Sequence, residues 1–500
     1  MANSARHCKL HEPRVTARQM SAYDDPGPSQ GLTGPAAVSP PGDSAVSQDA
    51  VKLPRDRMVL LFLVMLVTAA GNTAMQSVMP SIGTRLQVPD FWISLAYSWS
   101  ALLWMAMAPF WARRSDRRGR KAMMAIGLVG FIASFGLCGL VLLGGLAGWY
   151  GLTATLLLFA LARSFYGGFG SAAPPAVQAY VASRTSPAER TKALSLITSS
   201  FGLGTVLGPA LAPFLILPGV GLVSPFFSFA LFAVVVLIAL RMRLPDDDPQ
   251  YAGRGEVMTA PFSASSNSDG RRREVEFEEG DTDENDTTGP VAVDAGRAEA
   301  VPEDAARLRW RDPRIRPWLI TGLLGGHAQA MVLGIIGFLL LDRLGLRSNP
   351  DAGAGPIGLV LMLGAVATLL AQWGLIPMLH LGPRSAALWG MVLAAAGTLV
   401  IALGTELNST AIGFALASLG FGLYRPGFTA GASLAVSRAE QGQSAGIVAA
   451  VNGAAYVAAP AFGVWLYNTS PWVAWSTILV LCGSVLALGW KGMRSDGVFA

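Results

Sequence analysis

Arg163 is the side chain whose surroundings demand most of it. It lies near the middle of the apolar stretch 152–182, among Phe, Leu, Ala and Gly. Placing an arginine at the centre of a lipid-spanning helix costs about 2.5–3.5 kcal/mol on insertion scales. Arg163 must therefore face a polar cavity or a partner, or be neutralised by carbonyls in a purely structural role. His327 is the one histidine inside an apolar stretch. Its usual titration range suits a proton carrier, and the same ring could equally hydrogen-bond a neighbouring helix. Asn72 and Gln76 are one helical turn apart and share a face. With Tyr166, Gln329 and Arg425 they are candidates for coupling or for contact with a bound solute. Gln178, Gln372 and Asn452 could line the same cavity or bond between helices. Trp104, Trp373 and Tyr456 could line it or simply pack. No Asp or Glu lies in the interior of any apolar stretch, and Asp342 stands at the end of one.

These residues are carried by twelve stretches, each long enough to cross a bilayer, which needs about 20 mostly apolar residues. They are 58–80, 92–111, 122–145, 152–182, 193–216, 222–240, 317–341, 356–378, 385–404, 409–436, 443–467 and 471–490. The chain reads as an all-α integral membrane protein of twelve transmembrane helices. Residues 58–240 form one six-helix half and 317–490 the other. Residues 1–57 read as a disordered tail without a signal peptide, and 491–500 as a second tail. The segment 241–316 is charged, with acids at Asp246–Asp248, Glu274–Glu279 and Asp281–Asp286, and reads as a disordered linker.

Charged residues make up 14% of the chain, against about 25% in an ordinary soluble protein. The net charge of +5 would allow a nucleic-acid partner, but its distribution argues against one. Arg113, Arg114, Arg117, Arg118, Arg120 and Lys121 crowd between spans 2 and 3, and Arg184, Arg190 and Lys192 follow span 4. On the other side Arg85, Arg343 and Arg347 are offset by Asp90, Asp342, Asp351 and Glu406. Basic residues collect in short cytoplasmic loops, so both termini and the linker are expected in the cytoplasm, with the protein in the inner (plasma) membrane. Cys8, Cys138 and Cys482 show no pairing or metal spacing. No phosphate-binding Gly-x-x-x-x-Gly-Lys-Ser/Thr loop appears. No cofactor is implied.

The halves repeat each other. Ser183-Arg184 and Glu189 precede Gly208-Pro209, as Ser437-Arg438 and Glu440 precede Ala459-Pro460. Duplicated halves are the architecture of alternating-access transporters.

Four patches resemble one family. Asp116-Arg117-x-Gly119-Arg120-Lys121 is similar to the loop 2–3 signature of the major facilitator superfamily, with Ala112 where that signature has Gly. The resemblance implies a conformational latch between the halves at Asp116, Arg117, Gly119, Arg120 and Lys121. Arg163-Ser164-Phe165-Tyr166-Gly167-Gly168 resembles the span-4 motif, with Tyr166 where Gln is usual, and implies proton coupling or substrate contact for Arg163. Gly204-x-x-x-Gly208-Pro209 in span 5 resembles the antiporter motif, which implies an exporter. Tyr424-Arg425-Pro426 followed by Glu440-Gln441-Gly442 looks like the span 10–11 region of twelve-span drug:proton antiporters, tetracycline exporters especially. The resemblance implies a secondary transporter, functional as a monomer, exporting a small apolar or amphiphilic solute against protons. Uptake of a metabolite or sugar is the alternative. A sensor would look similar, and a membrane enzyme would need clustered His, Asp or Glu at the membrane face, for which four His in total, with His7 and His11 in the tail, are a poor supply.

Overall fold

The computed structural model describes residues 53–185, 187–245, 308–436, 440–493 and 495–496, and of 109, 112–118, 182–183, 187–192, 195, 198, 441–443 and 445 the backbone alone. Most of the expected tail 1–57 and of the linker 241–316, the end of the tail 491–500, and the side chains of Asp116 and Arg117 lie outside the described residues.

Twelve helical spans run through the described residues, eleven of them long and apolar enough to cross a membrane, while the apolar part of the fifth, Ser199–Leu215, is shorter. Spans 1 to 3 are Arg55–Arg85, Asp90–Arg118 and Arg120–Leu146. Span 4 is Leu152–Gly168, a 3₁₀ turn at Gly170–Ala172, and Ala173–Ser183. Span 5 is Pro187–Leu211 and span 6 Ser224–Arg243. Spans 7 and 8 are Arg316–Arg343 and Ala354–Leu369, the latter continued by a π turn at Leu370–Leu375. Spans 9 to 12 are Pro383–Leu403, Leu407–Leu434, Gln441–Thr469 and Pro471–Gly492. Pro225, Pro317, Pro383 and Pro471 stand in first turns, where a missing N–H costs nothing.

Two local features depart from the sequence reading. The basic run after span 2 is not a loop: the helix continues to Arg118, and the turn is the single residue Gly119, with φ of 88°. Arginine is a good helix former, so only a residue at ease with positive φ ends the helix. Span 4, read as continuous, is broken at Gly170–Ala172. Gly167, Gly168 and Gly170 weaken the helix there, and Pro174 and Pro175 cannot donate to the turn before them.

Membrane helices associate by close packing, since lipid is as apolar as their side chains. Span 5 lies on span 1 through Gly204 and Gly208. A Cβ on Gly204 would stand 2.6 Å from the Leu66 carbonyl, and one on Gly208 only 2.2 Å from that of Ala70. Spans 9 and 10 meet through Gly413, Gly420 and Gly427, at which a Cβ would meet backbone of Gly397, Gly390 and Pro383 within 3.0 Å. The outer surface is apolar, with Leu157, Leu231, Ile412 and Val480 exposed, as a lipid-facing band requires.

Candidate functional site

Arg163 is 1% exposed, and the break in span 4 lies about two turns beyond it. Its Nη2 donates to Asn72 Oδ1 and Ser100 Oγ, each at 3.2 Å. The guanidinium carbon sits 4.8 Å from the centre of the Tyr166 ring, a cation–π contact that stabilises a desolvated charge. Tyr166 is held by Trp104, whose ring centre is 5.0 Å away, and by Phe131 at 5.9 Å. Nε and Nη1 of Arg163 are buried without a hydrogen-bond partner. Gly167 makes this site possible, since a Cβ there would come 2.6 Å from the Ser100 carbonyl. The sequence reading brought Arg163, Asn72 and Tyr166 forward. It missed Ser100, which no motif marks.

The other candidates do not join this cluster. Gln76 is half-buried one turn from Asn72. His327 is half-buried, and its Nδ1 lies 2.7 Å from the Leu323 carbonyl of its own helix. Gln329 is half-buried in the same span. Arg425 is buried, with its guanidinium 5.7 Å from the Tyr456 ring centre. Neighbouring Tyr424 donates to the carbonyls of Thr321 and Gly322 at 2.7 and 3.0 Å, tying span 10 to span 7. Of the latch residues, Gly119 forms the turn and Lys121 is half-buried. Arg120 is buried and donates to the Ala179 carbonyl at 2.6 Å, within its own half.

At the opposite end of the helices the two halves are bridged by charges that the sequence presented only as topology. Arg347, between spans 7 and 8, forks onto Asp90 at the start of span 2, with distances of 2.8 and 2.7 Å. Its Nε also donates to Asp342 at 2.7 Å, and Asp342 accepts from Tyr467 at 2.7 Å. Burial alone would lower the Arg347 pKa, but the bonds to Asp90 and Asp342 outweigh it and raise it. Arg85 pairs with Asp351 across the same seam at 2.7 Å, though both are about half exposed and such pairs contribute little. Asp90 is 6% exposed, so it depends on its partner. The arrangement holds this end shut. Arg347→Gln is expected to open it, shifting the equilibrium by about 1–3 kcal/mol. Spin labels at Gln87 and Ser348 would report a longer-distance population. An unchanged distance distribution would remove Arg347 from the closure.

At the other end, Arg314 binds Asp312 and Glu440, each at 2.8 Å, stapling the approach to span 7 onto the start of span 11. Hydrogen bonds from Arg314 hold the Asp312 carboxyl below the usual carboxylate range. That stabilisation is present above the ordinary carboxylate pKa and is lost as pH falls through the lowered one.

Comparison with known proteins agrees with this architecture. The model of the Major Facilitator Superfamily matches residues 61–381, more than half of the chain. A probable actinorhodin transporter of Streptomyces coelicolor is 30% identical over 236 residues, which cover 47% of this chain and 37% of that protein. Multidrug resistance protein 2 of Bacillus subtilis is 27% identical over 180 residues, covering 36% of this chain and 42% of that one. The chain thus aligns with less than half the length of these relatives. The crystal structure of the human organic anion transporter MFSD10 superposes with a TM-score of 0.57 at 18% identity, covering 88% of this chain and 99% of that one. A bacterial homologue of the human lysosomal transporter Spinster, inward-facing and occupied, gives 0.60 at 12% identity, covering 89% and 100%. At such identities the likeness is one of fold. Family match and helix order agree, and the chain belongs to the Major Facilitator Superfamily of membrane transporters.

Proposed function

We propose that this transporter is a proton-coupled exporter of a small apolar or amphiphilic solute. The observation that carries the reading is a buried, acid-free arginine site within a bundle shut by ion pairs at one end. In an alternating-access cycle, that bridged end is the outer face and the described conformation is closed to the outside. The packing of Gly204 and Gly208 on span 1 and the names of the aligned relatives, an actinorhodin transporter and multidrug resistance proteins, support export. The basic residues around Gly119 support a cytoplasmic location for the opposite end, for both termini and for the linker. In this reading 58–240 and 317–490 are the moving halves, and Asp116 and Arg117 take part in the inner latch.

The test is flux of a fluorescent amphiphile in vesicles, with and without an imposed proton gradient. Gradient-driven flux abolished by a protonophore is the expected result. Flux indifferent to the gradient would refute coupling. His327→Gln keeps hydrogen-bonding capacity and removes the ring's ability to carry a proton. It is expected to flatten the pH profile of flux, and an unchanged profile would exclude His327 as the main proton carrier. For the orientation, a cysteine at Ser265, with Cys8, Cys138 and Cys482 replaced, is expected to react with an impermeant reagent only after the inner face is opened. Labelling of intact cells would reverse the topology.

A further inference from the structure

We propose that the approach to span 7, together with the end of span 12, is a binding site for the headgroup of an anionic phospholipid. The segment before span 7 is pinned by buried Ile315 and Leu308 and by the Arg314 staple to Glu440. Pinning those residues turns Arg309, Trp310, Arg311 and Arg316 outward, all exposed. The end of span 12 is adjacent, since a Cβ on Gly492 would come within 3.1 Å of Pro317. It adds Trp490 and Lys491, also exposed.

The charges of this patch do not cancel. Asp312 and Glu440 are taken by Arg314. Asp496 accepts from the backbone N–H groups of Arg384 and Ser385 at 2.8 and 3.0 Å and from the Ser385 hydroxyl at 2.5 Å. Arg309, Arg311, Arg316 and Lys491 make no ion pair among the described residues. Arg311 instead stacks on Trp310, 4.6 Å from its centre. Trp490, near the end of span 12, is 69% exposed, and Trp310, in the turn ahead of span 7, is 62% exposed; tryptophan beside a span seeks the boundary between hydrocarbon and headgroups. Two exposed indoles on the same two segments as Arg309, Arg311, Arg316 and Lys491 offer a set of donors suited to a lipid phosphate. Basic pockets at helix ends bind anionic headgroups in this way. A free phosphate ester would satisfy the cations but leave the indoles facing hydrocarbon, so a lipid is the occupant that uses every group. The inference depends neither on the solute carried nor on which face is cytoplasmic.

The test is native mass spectrometry of the purified full-length protein with phosphatidylglycerol or phosphatidylcholine of the same acyl chains. The wild type is expected to retain phosphatidylglycerol preferentially, and glycerol 1-phosphate is expected not to displace it. Affinity is expected to fall about fivefold for each guanidinium removed in Arg309→Gln, Arg311→Gln and Arg316→Gln. The corresponding lysine variants keep the preference, which separates charge from folding. Arg241→Gln with Arg243→Gln, at the exposed end of span 6, leaves retention unchanged. Equal retention of the two lipids, unchanged retention in the triple glutamine variant, or displacement by glycerol 1-phosphate would each overturn the proposal. So would phosphatidylglycerol binding seen only after the acids of 274–286 are neutralised, which would make the chain's own acidic segment the occupant.

Discussion

Arg163→Lys is expected to lower transport by about tenfold or more while leaving the amount and thermal stability of the protein in the membrane unchanged. The guanidinium does two things at once: one nitrogen bridges Asn72 and Ser100, and its plane lies near the Tyr166 ring. An ammonium keeps the charge but lacks the planar fork that satisfies both. Arg163→Gln sharpens the test. Among the described residues the arginine's partners are Asn72, Ser100 and Tyr166, none of them an acid, so removing the charge strands no carboxylate and relieves a desolvation cost. Its melting temperature is expected to equal or exceed that of the wild type, while flux is lost. An arginine kept only for structure would behave in the opposite way, with a lower melting temperature and flux retained per folded molecule. Wild-type flux in Arg163→Lys would remove the residue from the mechanism.

Gly208→Leu is expected to be the most damaging single change to the bundle. The first added atom would stand 2.2 Å from the Ala70 carbonyl, 2.3 Å from Thr73 Oγ1 and 2.9 Å from the Ala74 nitrogen. Two of those neighbours are backbone and cannot rotate away, so span 5 must withdraw from span 1. Overpacking of this kind costs about 1–3 kcal/mol and occasionally more. Gly208→Ala is expected to disturb the same contact, since its Cβ already meets the Ala70 carbonyl and Ala74 nitrogen, and to be milder because it adds no further atoms. Gly136→Ala is the control, since a Cβ there meets nothing within 4 Å, and it is expected to leave the melting temperature unchanged or raised. A wild-type melting temperature and wild-type flux in Gly208→Leu would show that the close approach of spans 1 and 5 is dispensable.

The helices were legible because lipid imposes a length and a composition on every span: eleven expected stretches coincide with helices apolar enough to cross, and the fifth with a shorter apolar one, Ser199–Leu215. What blurred was local. Nothing in hydropathy distinguishes a basic loop from a basic helix end, so the turn at Gly119 was visible only as a glycine among arginines. The break in span 4 was legible in principle from Gly170 and the pair Pro174-Pro175, yet an apolar run conceals such a break. At the arginine site, periodicity placed Asn72 on a helix face and the cost of burial marked Arg163. Ser100 could not be found, because a serine in a membrane helix has no distinguishing neighbours in sequence. The ion pairs at the bridged end were hidden for another reason. Asp90 and Arg347 are 257 residues apart, and only folding makes them neighbours. Their sole trace was that acids offset arginines on one side of the membrane.

The position of Arg347 between two acids makes the seam asymmetric in time. Asp342 belongs to the same half as Arg347 and precedes it by five residues, so it stays beside the arginine when the halves part. The fork that leaves Asp90 is therefore not released into free rotamers but kept near its bound orientation, and little side-chain entropy has to be repaid when the seam closes again. On the alternating-access reading, Asp90 is then the carboxylate left without its fork, and Asp342 favours re-closure by holding the arginine where Asp90 last met it.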